Sequence, residues 1–459
     1  MTIEQLLAGD GRASLVVEDV EWAGEDLLRA GDQLADEISR RFTGVRILTA
    51  STANAALIVA AVTAAGRLRV PVLLRDPGAA GTFGATGQVL IGDRSTAGRP
   101  VTITGNLECH LERRDEGSGS PLPEEVPGDS ILFQTSGSTA APKAVVKPVG
   151  AVLRDGVRIA DALHGDGARD GIVCAAPVYH SYGFTHGLLA GLLAGAKTVY
   201  RAPSSLPQAL ANVVARTGSG TLVALPNHVH MIAAAASADF TGLRQVVSAG
   251  APLRPEAVAR VCRDHGFRLL NAYGASEVGT MAITSLKETS APGSIGVPLD
   301  GVEVRIGPGD GELLVRNDSF AAGYLTEGEM RPLPTDDGWY RTGDLAEQDA
   351  DGLRITGRLG DLINIAGRKT RRSRLEAVLS AHPDVSEIQV LVVEDKVRGE
   401  FPVARAVVAP GRERPDLLRW SRDRLDVFEV PRQIEWVDRL PRTSTGKLIY
   451  APRAEDVGQ

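Results

Sequence analysis

Short β-rich runs alternate with Ala- and Leu-rich helical stretches as far as about Pro298, and no other feature of the chain limits its fold as strongly. Val45 to Ala50 reads as a strand, Asn54 to Ala65 as a helix and Val70 to Leu74 as the next strand. The pattern resumes with strands at Ile172 to Ala175, Leu222 to Ala224, Gln245 to Ser248 and Arg268 to Leu270. A helical stretch, Pro255 to His265, stops before Gly266, which suits a C-cap. Alternation of this kind predicts parallel sheets covered by helices on both faces.

After Pro298 the character changes. Val302, Val304 and Ile306 alternate with Glu303 and Arg305, and Glu312 to Val315 follows a Gly/Pro/Asp turn. Short strands with turns between them predict a small antiparallel sheet or barrel. From Leu353 onward strand-like and helix-like runs return, enough for a compact α+β domain. Asp115 to Ser130, polar and rich in Pro and Gly, reads as a surface linker.

Composition narrows the partners. Hydrophobic residues at 43% and charged residues at 23% are ordinary for a soluble globular chain. The net charge of −7, with no basic block, argues against nucleic acid. No apolar run reaches the roughly 18 residues needed to cross a bilayer, so no membrane role is expected. The first residues lack the basic start and apolar core of a signal peptide, and a cytoplasmic location is expected. Cys109, Cys174 and Cys262 are scattered without C-x-x-C spacing, as buried reduced thiols would be.

The strongest local signal is QTSGSTAAPKAVVK, Gln134 to Lys147, which follows the apolar Ile131, Leu132 and Phe133. Small residues at a strand end let the backbone turn tightly and gather N–H groups into a concavity that suits a polyphosphate. The G-x-x-x-x-G-K-[ST] pattern of Walker loops is absent. Four further stretches follow in order: NAYGASEVG (Asn271 to Gly279), YRTGDLA (Tyr340 to Ala346), GRLGDLINIAGRK (Gly357 to Lys369) and PRTSTGK (Pro441 to Lys447).

Taken together, these five stretches resemble the adenylate-forming superfamily, which includes acyl- and aryl-CoA ligases, peptide-synthetase adenylation domains and luciferases. The resemblance runs from about residue 45 to about residue 450. It implies an α/β fold with a large N-terminal domain over 1–357, of parallel sheets covered by helices plus a small β-barrel-like region. A smaller α+β C-terminal domain over 358–459 would follow on a hinge and carry the catalytic lysine.

The resemblance also assigns roles. Thr135, Ser136, Gly137, Ser138, Thr139 and Lys143 match the loop that closes over the β- and γ-phosphates of ATP. Asn271, Ala272, Tyr273, Gly274 and Ser276 match the nucleotide-binding stretch, with Asn271 on the adenine amino group and Tyr273 packed on the ring. Glu277, with Thr135, matches the magnesium-holding positions, oxygen ligands that suit a hard cation. Asp344 matches the carboxylate that accepts from the ribose hydroxyls, and Arg358 assists there. Lys447 matches the lysine that reaches the substrate carboxylate and the α-phosphate. His180, in PVYHSYGF, matches a pocket-lining or gating position. Ala249 and Gly250, in the Ser248 to Pro252 loop, match the turn between the acyl pocket and the adenine.

The chemistry asks little of acid–base groups. A carboxylate with a pKa of about 4 is already ionised at neutrality. The obstacle is anion repulsion, about 4 kcal/mol per unit-charge pair at 4 Å with an effective dielectric of 20. Magnesium and Lys447 would offset it while binding supplies alignment.

Departures from the family pattern are small in the phosphate loop, at Ala140 and Ala144, where ATP binding is expected to survive, and others cluster where the second half-reaction is controlled: Gly360 at the hinge, Asn364, Arg372 and Arg374. The expected function is ATP-dependent activation of a small carboxylic acid, aryl or short acyl since PVYHSYGF offers no Asp for an α-amino group. Transfer to a thiol would follow, either coenzyme A or the phosphopantetheine of a carrier protein. An amine or other small nucleophile as acceptor stands as the alternative, and a catalytically silent nucleotide-binding scaffold as the third reading.

Overall fold

The computed structural model describes residues 3–8, 13–79, 86–93, 99–104, 107–114, 122–135, 143–165, 170–235, 238–309, 311–326, 328–365, 368–395, 399–442, 448 and 450. By Cα packing the chain divides into two units, one of 1–305, 314–341 and 348–354, the other of 306–313, 342–347 and 355–459.

Two large sheets build the first unit. One has eight strands, with Arg268–Ala275, Gln245–Ala249, Thr221–Ala224, Ile172–Cys174, Lys197–Tyr200 and Ser14–Val17 parallel in that order. Antiparallel Gly279–Leu286 and Val20–Ala23 close its edges. The other has nine strands around a parallel centre of Ser130–Thr135, Val72–Arg75, Ile47–Ser51 and Gln88–Gly92. Antiparallel strands flank that centre, among them Lys143–Pro148 and Gly323–Thr326. The expected parallel sheets form the centre of each layer, with antiparallel strands joined by short connections, such as Ser130–Thr135 to Lys143–Pro148, at their flanks.

Helix Ala55–Leu68 is buried from Ala55 to Ala65 on every side, as a helix apolar all round must be. Asn54 caps it, its side-chain oxygen accepting from the N–H groups of Ala56 (3.0 Å) and Leu57 (3.2 Å). Helix Gly24–Arg41 lies against it, burying one stripe that includes Leu27, Leu34 and Ile38. At the crossing Gly31 has no room for a side chain, since a Cβ there would sit 2.5 Å from Thr63 Cβ.

Two sequence expectations are corrected here. Helix Pro255–Asp264 ends on an extended His265, and Gly266 adopts no left-handed conformation. The described part of the Asp115 to Ser130 stretch is not a surface linker, because Leu122 and Val126 are buried against Leu132 and Leu325 and Ser130 begins a strand.

The second unit has its own core. Strands Val385–Asp395, Gly399–Val408 and Ile434–Trp436 form a sheet, and Leu362–Ile365 pairs with Arg368–Arg371 in a separate hairpin whose Ile363 and Ile365 join the same core. Leu375 and Leu379 of helix Arg372–Ser380 pack with Val390, Ala404, Ala406 and Leu417. Ser294–Gly296, Gly352–Arg358, Trp339–Asp349, Glu312–Arg316 and Glu303–Ile306 form a six-stranded sheet with Thr335–Asp336 beside Trp339.

Candidate active site

The phosphate-loop stretch leaves a strand as expected. Ser130–Thr135 pairs antiparallel with Lys143–Pro148, bringing Thr135 opposite Lys143. Ser136, Gly137, Ser138 and Thr139 lie outside the described residues, as does Lys447. Lys143 places its ammonium 3.9 Å from the centre of the Tyr324 ring, a cation–π contact. Tyr324 reaches this position through strand pairing, since Gly323–Thr326 runs antiparallel beside Lys143–Pro148 with Tyr324 opposite Val145.

Strand Arg268–Ala275 carries the nucleotide stretch. Ala272 is buried and pairs with Ala249, the last residue of Gln245–Ala249. Gly250 follows with φ +99 and open space at its Cα, a conformation only glycine takes without strain. Asn271 donates from Nδ2 to the carbonyl of Ser294 at 3.0 Å. Tyr273 and Gly274 remain partly or fully accessible beyond the buried Ala272. Ser248 Oγ, in the same neighbourhood, is buried without a hydrogen-bond partner among the described residues.

The turn beyond that strand is pinned from several sides. Ser276 Oγ lies 2.7 Å from Ser181 Oγ, and its carbonyl accepts from the ammonium of Lys147 at 3.3 Å. Glu277 accepts at Oε1 from the Tyr324 hydroxyl (3.1 Å) and at its carbonyl from the Ala321 N–H (2.7 Å). Burial and the Glu277 carboxylate push the Tyr324 phenol up, so it stays a donor. Glu277 Oε2 has no donor among the described residues. One carboxylate with an oxygen that no described donor reaches fits magnesium, which takes one or two carboxylates and otherwise phosphates and water. The described residues hold no cluster of three His, Cys, Asp or Glu side chains.

The His180 ring lies 4.9 Å from that of Tyr179, tilted by 53°, and its carbonyl accepts from Phe184 N–H as the chain enters a π-helix, Gly183–Leu189. Such helices are rare and occur often at functional sites. Within it, burial drives the His186 pKa down to about 4, so the ring is neutral. A cavity of about 980 Å³ has Ala176 to Tyr179 in its wall, together with Trp22, Asn54, Asp93 and Arg201.

In the second unit Asp344 and Arg358 meet, Arg358 Nε donating to Asp344 Oδ1 at 2.6 Å. Asp344 is held at its own N–H by Thr342 Oγ1 at 3.0 Å. Thus Lys143, Ser276 and Glu277 gather in the first unit, and Asp344 and Arg358 in the second. Sequence reasoning missed Tyr324 as the partner of Glu277, and Ser181 and Lys147 as partners of Ser276. Lys147 could have been flagged as a charge inside an apolar strand; Tyr324 and Ser181 carried no such signal.

The sequence profile of the AMP-binding enzyme matches residues 47–325, and that of the AMP-binding enzyme C-terminal domain matches 374–447. A feruloyl-CoA synthase from an Amycolatopsis species is 30% identical over 348 residues, 72% of this chain and 70% of that protein. Among solved structures, the amide bond synthetase McbA from Marinactinospora thermotolerans superposes with a TM-score of 0.76 at 24% identity, over 97% of each chain. The o-succinylbenzoate coenzyme A synthetase MenE from Bacillus subtilis, in complex with ATP and magnesium ion, gives 0.76 at 22% identity over 98% of each chain. The fold is that of an adenylate-forming enzyme. The chain belongs to the AMP-binding enzyme family, and within it to the ligases that activate a carboxylic acid with ATP and pass the acyl group to a thiol.

Proposed function

We propose that this enzyme adenylates an aryl acid and transfers the aroyl or arylacyl group to coenzyme A. The observation that supports this most is the gathering of Lys143, Ser276 and Glu277 at the end of the strand carrying Asn271 and Tyr273. In this reading Tyr273 packs on the adenine, Asn271 meets its amino group, and Ala272, Gly274, Ala249 and Gly250 leave room for the purine. Thr135 to Thr139 and Lys143 hold the β- and γ-phosphates. Asp344, aligned by Arg358, takes the ribose hydroxyls. His180 lines the acid pocket.

Glu277 and Thr135 would hold magnesium, whose chemistry there is neutralisation of phosphate charge. Lys447 draws the acid's carboxylate to the α-phosphorus. A carboxylate oxygen forms the new P–O bond, pyrophosphate leaves, and no general base is needed. The CoA sulfur then attacks the acyl carbon, its proton is lost to solvent, and AMP leaves. Gly360, within the 3-10 turn Leu359–Asp361 and with open space at its Cα, serves as the hinge between the two half-reactions. The cytoplasm, where unpaired thiols such as Cys109 and Cys174 persist, is the compartment this reading assigns.

The test is acid-dependent exchange of labelled pyrophosphate into ATP over a panel of aryl, short-chain, fatty and amino acids. Product analysis with CoA, a pantetheinylated carrier protein and amines then follows. Exchange with aryl acids that Lys447→Ala abolishes, and a CoA thioester as product, are expected. Exchange confined to amino acids, or an amide as the fast product, would overturn the reading.

A further inference from the structure

Side chains in a strand alternate between faces, so Lys143 and Lys147 share one face of Lys143–Pro148. Lys143 is half-buried and belongs to the phosphate loop. Lys147 is only 2% exposed. A lysine that deep is rare and needs partners. Its ammonium donates to the Ser276 carbonyl, and the charged groups facing it are the carboxylates of Asp155 and Glu277 and the guanidinium of Arg158. Burial lowers its pKa from the ordinary lysine value, while the two carboxylates favour the charged form.

Asp155 is buried to the same degree, and its Oδ1 accepts the N–H of Thr280 at 2.8 Å. Gly279, with φ +81, makes room for it: a Cβ there would stand 2.7 Å from the Asp155 carboxylate. Lys147 and Asp155 therefore hold the two ends of the segment Ser276 to Thr280, with Glu277 inside it. An ion out of water is poorly screened by salt, so its field at the turn persists.

We infer that Lys147 is a positioning residue for Glu277, fixing the Ser276–Glu277 peptide and supplying positive charge that partly balances the nucleotide phosphates. The enzyme then leans less on magnesium for nucleotide binding than the Glu277 carboxylate alone would require. This rests on the assignment of Glu277 to magnesium.

The experiment measures the calorimetric affinity of a non-hydrolysable ATP analogue, once with magnesium and once with a chelator. The parent is compared with Lys147→Gln, Lys147→Met and Lys147→Arg. The readout is the ratio of the two affinities, which a general loss of structure would leave unchanged. Removing the charge in the Gln and Met variants should raise the magnesium preference about 10-fold, while Lys147→Arg should stay near the parent.

Lys147→Gln keeps a donor for the Ser276 carbonyl, so a parental ratio in that variant overturns the inference. If Lys147→Met does not fold, the Gln and Arg variants decide alone. A parent with no magnesium preference at all overturns the Glu277 assignment, and the inference with it. A parent with a preference that none of the substitutions moves overturns the inference only.

Discussion

Glu277 owes its orientation to a hydroxyl more than forty positions further along the chain, and removing that hydroxyl separates alignment from folding. Tyr324→Phe keeps the ring under Lys143 and loses the hydroxyl's bonds to Glu277 and, at 3.4 Å, to the Tyr340 hydroxyl. Groups that orient a metal-holding side chain are worth about 10- to 100-fold in activity. Pyrophosphate exchange should fall by that order, with about 1 kcal/mol lost in denaturant unfolding.

A second titratable residue predicts a pH effect. Glu376 is pushed up to about 7 by burial, although Val390 N–H and the Tyr450 hydroxyl donate to it. Unfolded, it returns to its ordinary value of 4.5. Between those values the folded chain keeps a proton that the unfolded chain has released. Stability is therefore lost as pH rises from 4.5 to 7, by about 3 kcal/mol. Glu376→Gln keeps both hydrogen bonds in outline, and denaturation curves across that window should lose the slope. At this scale the sequence was informative where neighbours are local, as in the Asn271 to Glu277 stretch. Lys147 and Tyr324 escaped because a register between distant strands joins them to Glu277, and no local spacing encodes it.

Among elements, helix Ala55–Leu68 depends on its cap and its crossing. Asn54→Ala strands two N–H groups at the first turn and should cost about 1 kcal/mol. Gly31→Val drives two methyls into Thr63 and should cost about 1–3 kcal/mol. Thermal unfolding of each variant checks both. This helix was legible because its apolar run, preceded by Asn and followed by Val-rich sequence, admits few other readings. The end of Pro255–Asp264 was not legible: Gly266 looks like a cap, yet the extended His265 carries the chain into strand Arg268–Ala275. Leu122 and Val126 were hidden by the prolines and charges around them, and only the sheet beneath shows why they are buried. The π-helix Gly183–Leu189 has no periodicity of its own to betray it.

Among the described residues the first unit has its largest core spread over both large sheets, and the second has its own around Leu375, Val390 and Ala406. Two cores rarely melt as one. Calorimetry should give a total enthalpy larger than the van't Hoff value, and Val390→Ala should shift only part of the transition. The thiols add a practical consequence. Burial pushes Cys109 and Cys174 up to about 12, and Cys262 is raised as well. Thiolates are the reactive form, so the native cysteines are poor targets for maleimides or nitroxides. Exposed cysteines introduced one per unit, at Val297 and Val427 for example, would take paired dyes selectively. The wild-type background thus serves for fluorescence or spin-label ranging during turnover, without first stripping out its own sulfur.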